Sequence, residues 1–369
     1  MTIIFGEKLL CPTGMISPGW VEVADERILA WGSGHLESTP DLCTEILSPG
    51  FVDVHCHGGG GASFGSNSDQ TSTAIETHLR NGTTTLVASL VTATIPDLED
   101  QVRTLARFVN DGLLAGIHLE GPWLSQKYKG AHAEKLLIPP IIQDITRLIE
   151  ASEGTISMVT IAPELPGAIE AIGFMSGQGI LAAIGHTAAD FDTAQAGIEA
   201  GARGATHLFN AMSEIHHREP GPALALWMDD RVYVELICDG VHVHPDLIAH
   251  VMSVSPAKVV LITDAMAACG CTDGDYTLGD LPVEVRAGVA RIAGTSTIAG
   301  STLTLDKAVR TAVKAGVEVE TALKAATCNP ADYLGLNVGR IEVGSWADLV
   351  CLDAELLPTR VMRHGQWVG

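Results

Sequence analysis

The chain has 369 residues, 46% of them hydrophobic and only 5% aromatic, with 39 glycines and a formal net charge of −22. That length supports a large core and one or two domains. The acidity argues against nucleic acid and anionic membrane as partners, since both need a basic face, and any anionic substrate must be held by a few local cations.

The first segments, TIIFGEKLL (2–10) and GWVEVADERILAWG (19–32), alternate apolar and polar residues between Gly and Asp. They read as antiparallel strands. GRIEVGSWADLVCLD (339–353) and RVMRHGQWVG (360–369) read the same way. Neither end suffices for a sheet of its own, so one small β-sandwich domain is expected from residues 1–49 and 336–369. The start MTIIFGEKLLCP mixes charges and lacks the apolar core of a signal peptide, and no apolar run reaches membrane-spanning length. The eight scattered cysteines show no zinc-finger spacing and are expected as buried free thiols of a reducing compartment, which makes the cytoplasm the expected location.

Between the ends, strand-like runs finish near His55, Ser89, Glu120, Pro163, His186, His207, Asp239 and Asp264. Helix-like segments separate them, among them SDQTSTAIETHLRNG, PDLEDQVRTLARFVNDG and AADFDTAQAGIEAGA, with glycine at the helix ends as the stop signal. Eight such units over residues 50–335 predict an α/β fold, a (β/α)8 TIM barrel. A Gly- and Asp-rich stretch at about 268–298 breaks the rhythm and reads as a β-hairpin insertion.

Active sites of such barrels lie at the C-terminal strand ends. There the sequence places His55, His57, Glu120, His186, His207 and Asp264. His55 and His57 alternate along a strand and share a face, with Cys56 on the other. Each residue alone has an ordinary reading: a hydrogen-bonded histidine, a paired carboxylate, a helix cap at Asp264. Six such coincidences at one rim are improbable together. Four imidazoles and two carboxylates suit zinc or another divalent ion, and Glu120 bridging two ions would use all six. His118, two residues before Glu120, is expected behind the ligands. The glycines after His57 are expected to turn the chain and leave room for substrate. GASFG (61–65) and HGGG (57–60) match serine-hydrolase motifs, but they nearly touch in sequence and no apolar strand leads into Ser63.

PGFVDVHCHG, HLEGPWLSQKYKGAH, GHT, THLFNAM, REPG, DGVHVHP, LITDAM and AGSTLTLDKAV together resemble the N-acetylglucosamine-6-phosphate deacetylases of the amidohydrolase superfamily. The resemblance implies hydrolysis of the acetamide of N-acetyl-D-glucosamine 6-phosphate, in amino-sugar catabolism and cell-wall recycling. It implies a main metal site at Glu120, His186 and His207, a second at His55 and His57, and one or two divalent ions, zinc being the expected one. Asp264 matches the catalytic aspartate, which the ligand set also includes. Ala131, His132, Asn210, Ala211, His242, Ile298, Ala299 and Gly300 match sugar contacts. Arg218 matches a phosphate-binding arginine contributed by a neighbouring subunit, so a homodimer is implied. The SEIHH stretch before Arg218 departs from the pattern. An N-acetylgalactosamine-6-phosphate deacetylase, another amidohydrolase and a non-catalytic barrel are the alternatives. A cyclic-amide hydrolase would carry a carboxylated lysine where Glu120 stands.

Overall fold

The computed structural model describes residues 1–35 and 39–369, so residues 36–38 of the expected N-terminal segment lie outside the described residues. Eight parallel strands form its centre. They are β1 Phe51–Cys56, β2 Thr83–Val91, β3 Gly116–Glu120, β4 Ile156–Ile161, β5 Leu181–Ile184, β6 Gly204–Ala205, β7 Tyr233–Ile237 and β8 Val259–Ile262. Each pairs with the next in chain order. Backbone bonds from Asp264 N to His55 O (2.9 Å) and from His57 N to Ala265 O (2.8 Å) bring β8 back to β1 at the C-terminal rim. The result is a nearly closed α/β barrel. Its strands are β-branched and buried along almost their whole length, as in TTTLVASLV of β2, because helices cover one face and the barrel interior the other.

A helix follows every strand. Asn67, Thr94 and Asp190 cap three of them, each side chain accepting from the backbone N–H three residues on. Helix Phe191–Ala200 ends at Gly201, whose φ of 123° would strain any side chain.

β6 has only two residues, shorter than the GATH run suggested. A Cβ on Gly204 would collide with the hydroxyl of Tyr333, which enters from helix Cys328–Leu334. The chain is open here so that Tyr333 can reach a buried carboxylate described below.

Strands from both termini join one eight-stranded sheet. Strand Leu42–Pro49 pairs parallel with Thr2–Cys11 and antiparallel with Leu349–Leu352. Ile4, Leu9, Val21, Leu47, Leu349 and Cys351 form its separate apolar cluster. The interruption near the end of the barrel consists of three antiparallel strands, Gly274–Leu278, Leu281–Arg286 and Val289–Ile292, one more than a hairpin. Leu278, Val283 and Val285 pack it onto Met266 beside the barrel mouth. All eight cysteines are free; five are buried, but Cys43 and Cys271 are exposed, contrary to expectation, because they lie on a surface strand and a loop. No helix among the described residues is long and apolar enough to cross a membrane.

Candidate metal centre

The barrel gathers all six expected residues. Glu120, at the end of β3, is the hub. Its Oε1 lies 3.2 Å from His186 Nε2 and 3.0 Å from His207 Nε2. Its Oε2 lies 3.1 Å from His57 Nε2. Asp264 Oδ1 stands 3.2 Å from His57 Nε2 and 3.5 Å from His55 Nε2. Two buried groups of donors emerge, His55–His57–Glu120 and Glu120–His186–His207, sharing the glutamate.

Three of these residues sit just beyond their strands in left-handed backbone: His186 (φ 47°), His207 (φ 30°) and Asp264 (φ 47°). Non-glycine residues adopt this conformation at a cost of order 1–3 kcal/mol, and do so chiefly at functional sites. The turn aims each side chain inward over the barrel instead of along the strand.

The proton positions fit a cation. His57 Nδ1 donates to Ser89 O (3.2 Å), His186 Nδ1 to Tyr128 O (2.8 Å) and His55 Nδ1 to the Glu235 carboxylate (3.0 Å). Each bond leaves the Nε2 lone pair facing inward. There the Nε2 atoms of His55 and His57 stand 3.2 Å apart, and those of His186 and His207 3.0 Å. Opposed lone pairs at that distance repel unless a proton or a metal ion lies among them. The donor set of imidazole and carboxylate suits a divalent ion.

Electrostatics agree. Burial alone would raise the Glu120 pKa, but His55, His132 and His186 hold it well below the ordinary carboxylate range. Asp264 is likewise kept low, burial being outweighed by the His57 hydrogen bond and the charge on His55. Burial would lower His57, yet its bonds to Asp264 and Glu120 raise it to about 9. Burial wins at His186, which falls to about 4.

Two supporting carboxylates were not singled out as site residues from sequence. Glu235, on β7, accepts from His55 Nδ1 and from the backbone N–H of His207 (3.3 Å), while Tyr333 Oη donates to its other oxygen (3.2 Å). An acid inside the apolar run VYVELI was the available signal. Asp239 holds His242 Nδ1 at 2.7 Å and accepts the backbone N–H groups of Val241 and His242, an Asx turn legible in DGVH. His118 lies behind the ligands, between the hydroxyls of Ser89 (2.9 Å) and Thr160 (2.8 Å).

The metal centre forms the floor of a cavity of about 410 Å3. Ala131, His132, Asn210, Ala211, His242, Ile298 and Gly300 line its walls, together with Lys127. His132 also reaches Glu120 (3.3 Å), closer to the metal centre than a sugar contact requires. Ala299 is not on the wall; it is fully buried in the apolar cluster of the inserted sheet. Arg218 is exposed and lines an adjoining cavity, which shares Lys127 and Tyr128 with the first. Of the glycines after His57, Gly61 has open space over it and lines a second cavity, whereas Gly58 and Gly60 serve packing. A Cβ on Gly58 would strike the Ala62 carbonyl and one on Gly60 the Thr77 hydroxyl, so they allow the loop to pack on itself and on helix Ser68–Arg80.

Residues 46–368 match the amidohydrolase family. The chain belongs to that family. Among amidohydrolases, it is 34% identical over 376 residues to the N-acetylgalactosamine-6-phosphate deacetylase of Escherichia coli O157:H7, covering 99% of this chain and 98% of that one. It is 34% identical over 345 residues to the N-acetylglucosamine-6-phosphate deacetylase of Vibrio furnissii, covering 91% and 86%. Of solved amidohydrolase structures, the N-acetyl-D-glucosamine-6-phosphate deacetylase of Mycobacterium smegmatis superposes with a TM-score of 0.97 at 48% identity, all of both chains being covered. A mutant of that enzyme, in complex with N-acetyl-D-glucosamine-6-phosphate, superposes equally well over 99% and 98%.

Proposed function

We propose that this amidohydrolase removes the acetyl group of N-acetyl-D-glucosamine 6-phosphate, giving D-glucosamine 6-phosphate and acetate. The observation that carries the reading is the convergence of four imidazole Nε2 atoms on Glu120 and Asp264 at the floor of a sugar-sized cavity. The 48% identity to a deacetylase of this substrate supports the choice of sugar.

His55 and His57, and His186 and His207, would hold two divalent ions with Glu120 between them, zinc suiting the nitrogen and oxygen donors. When bound, such an ion supplies Lewis acidity, polarising a carbonyl and lowering the pKa of water. Asp264, whose side chain is 11% exposed against 4% for Glu120, opens furthest toward the cavity. Its carboxylate takes the proton of the attacking water and passes it to the departing amine. His242, tethered by Asp239, offers its free Nε2 to the substrate.

The phosphate needs cations in an acidic chain. Lys127 lies in the cavity wall. Arg218, which has no carboxylate partner among the described residues, would cross from a second copy to complete the site as a homodimer. Free thiols support a reducing, cytoplasmic setting. The residues named here come from 50–335, which supports treating that span as the catalytic domain and 1–49 with 336–369 as a separate one.

Steady-state acetate release from the N-acetylglucosamine and N-acetylgalactosamine 6-phosphates tests the reading. A higher kcat/KM for the gluco epimer is expected. A clear preference for the galacto epimer would move the assignment to the other deacetylase activity.

A further inference from the structure

A second cavity, of about 590 Å3, lies on the other side of the metal centre. It opens between the loop carrying Ser63 and the inserted three-stranded sheet. It touches the first cavity at only two side chains, His57 and Leu278, which line both. Leu278 ends the first strand of the insertion and is 6% exposed. The chambers therefore adjoin at one ligand imidazole and one leucine.

Amide geometry gives this chamber a direction. A secondary amide is planar and trans, so the acyl chain points away from the sugar carbon. With the sugar in the smaller cavity and the carbonyl over Glu120 and Asp264, a longer acyl chain directed past His57 and Leu278 would enter the second chamber. Ser63, Gln70, Gln101 and Thr277 give the far chamber hydrogen-bonding groups, and Asp275 and Asp280 stand at its edge.

We propose that this chamber is an acyl pocket, and that the enzyme deacylates amino-sugar 6-phosphates bearing neutral or cationic polar acyl groups larger than acetyl. The inference rests on the acetamide reading above. The chemistry is unchanged: water gives its hydroxyl to the acyl carbon and a proton to nitrogen as the C–N bond breaks, leaving a carboxylic acid and a free amine. Asp280 disfavours an anionic acyl group, while Asp275 is ion-paired with Arg286 (3.3 Å) and adds less.

The test is kcat/KM of the wild-type, metal-loaded enzyme on glucosamine 6-phosphate acylated with acetyl, 3-hydroxypropanoyl, β-alanyl or succinyl groups. Turnover of the hydroxypropanoyl and β-alanyl compounds is expected, with succinyl at least roughly tenfold poorer. Val91→Phe, at the end of β2, and Gln101→Trp, on helix Ile95–Asn110, fill the chamber from two different walls. Each should cut kcat/KM for the larger groups by roughly tenfold or more and leave acetyl within about twofold. Cleavage of the acetyl compound alone, or larger groups indifferent to both variants, overturns the proposal. Cleavage of larger groups without acetyl would uphold the pocket and refute the acetamide reading; cleavage of none refutes both.

Discussion

Glu235 places a carboxylate oxygen 3.0 Å from the Nδ1 of His55, and both side chains are wholly buried. The same oxygen accepts the His207 backbone N–H, and Tyr333 donates to the other. One carboxylate thus orients a ligand from β1 and braces another at the end of β6. Glu235→Gln preserves the shape but weakens the hold on His55. Metal affinity, measured by chelator competition, should fall by roughly 10–100-fold, with activity restored by excess metal. Unchanged affinity would remove Glu235 from the account.

Asp264 is both close to the ligands and open to the cavity. Asp264→Asn removes the proton acceptor while leaving Glu120 and four histidines in place. The expected result is a kcat lowered by roughly 10²–10⁴-fold with metal content retained. Near-normal turnover would refute its role.

Proton release should accompany metal binding. In the metal-free protein, despite burial, the Asp264 and Glu120 carboxylates push the His57 pKa up from 6.5 to about 9. A raised histidine pKa stabilises the metal-free fold fully below pH 6.5, and that contribution is lost as pH rises through about 9. Metal affinity runs the other way, rising with pH toward 9, since only neutral imidazole binds the ion. Calorimetry at pH 7 in two buffers of different ionisation enthalpy should therefore give different apparent heats. Identical heats would show that no proton leaves.

Arg218 stands outside the cavity it is proposed to serve; among the described residues its guanidinium is hydrogen-bonded only to the neighbouring His217 (2.7 Å). Arg218→Ala should raise KM for the phosphorylated sugar by about tenfold or more and leave the unphosphorylated analogue unaffected, as expected for one charge-assisted hydrogen bond. Sedimentation should show a dimer. An equal rise for both sugars, or a monomer of full activity, contradicts this role.

Much of the barrel and its ligand set could be read in advance, because apolar β-branched runs ending in His, Glu or Asp are local signals. GFVDVH and LLAGIHLE carry their own period and their own stop. What the sequence concealed depends on contacts between distant segments. Gly204 shortens β6 only because Tyr333, 129 positions later, needs the space. The left-handed turns at His186, His207 and Asp264 run against the local preference of these residue types. His132 reaches Glu120 through the fold of the loop after β3. The space over Gly58 is filled by the loop's own return and that over Gly60 by helix Ser68–Arg80, which nothing in HGGGG announces.

If these converging side chains hold divalent metal and use it to cleave an acetamide, turnover depends on the metal. The direct measurement is acetate release from N-acetyl-D-glucosamine 6-phosphate by protein stripped with a chelator and then reloaded with zinc, with metal content determined at each stage. Turnover should be lost on stripping and recover in step with metal bound, at up to two ions per chain. Full turnover by metal-free protein, or none by protein carrying its metal, would contradict metal-dependent cleavage of the acetamide.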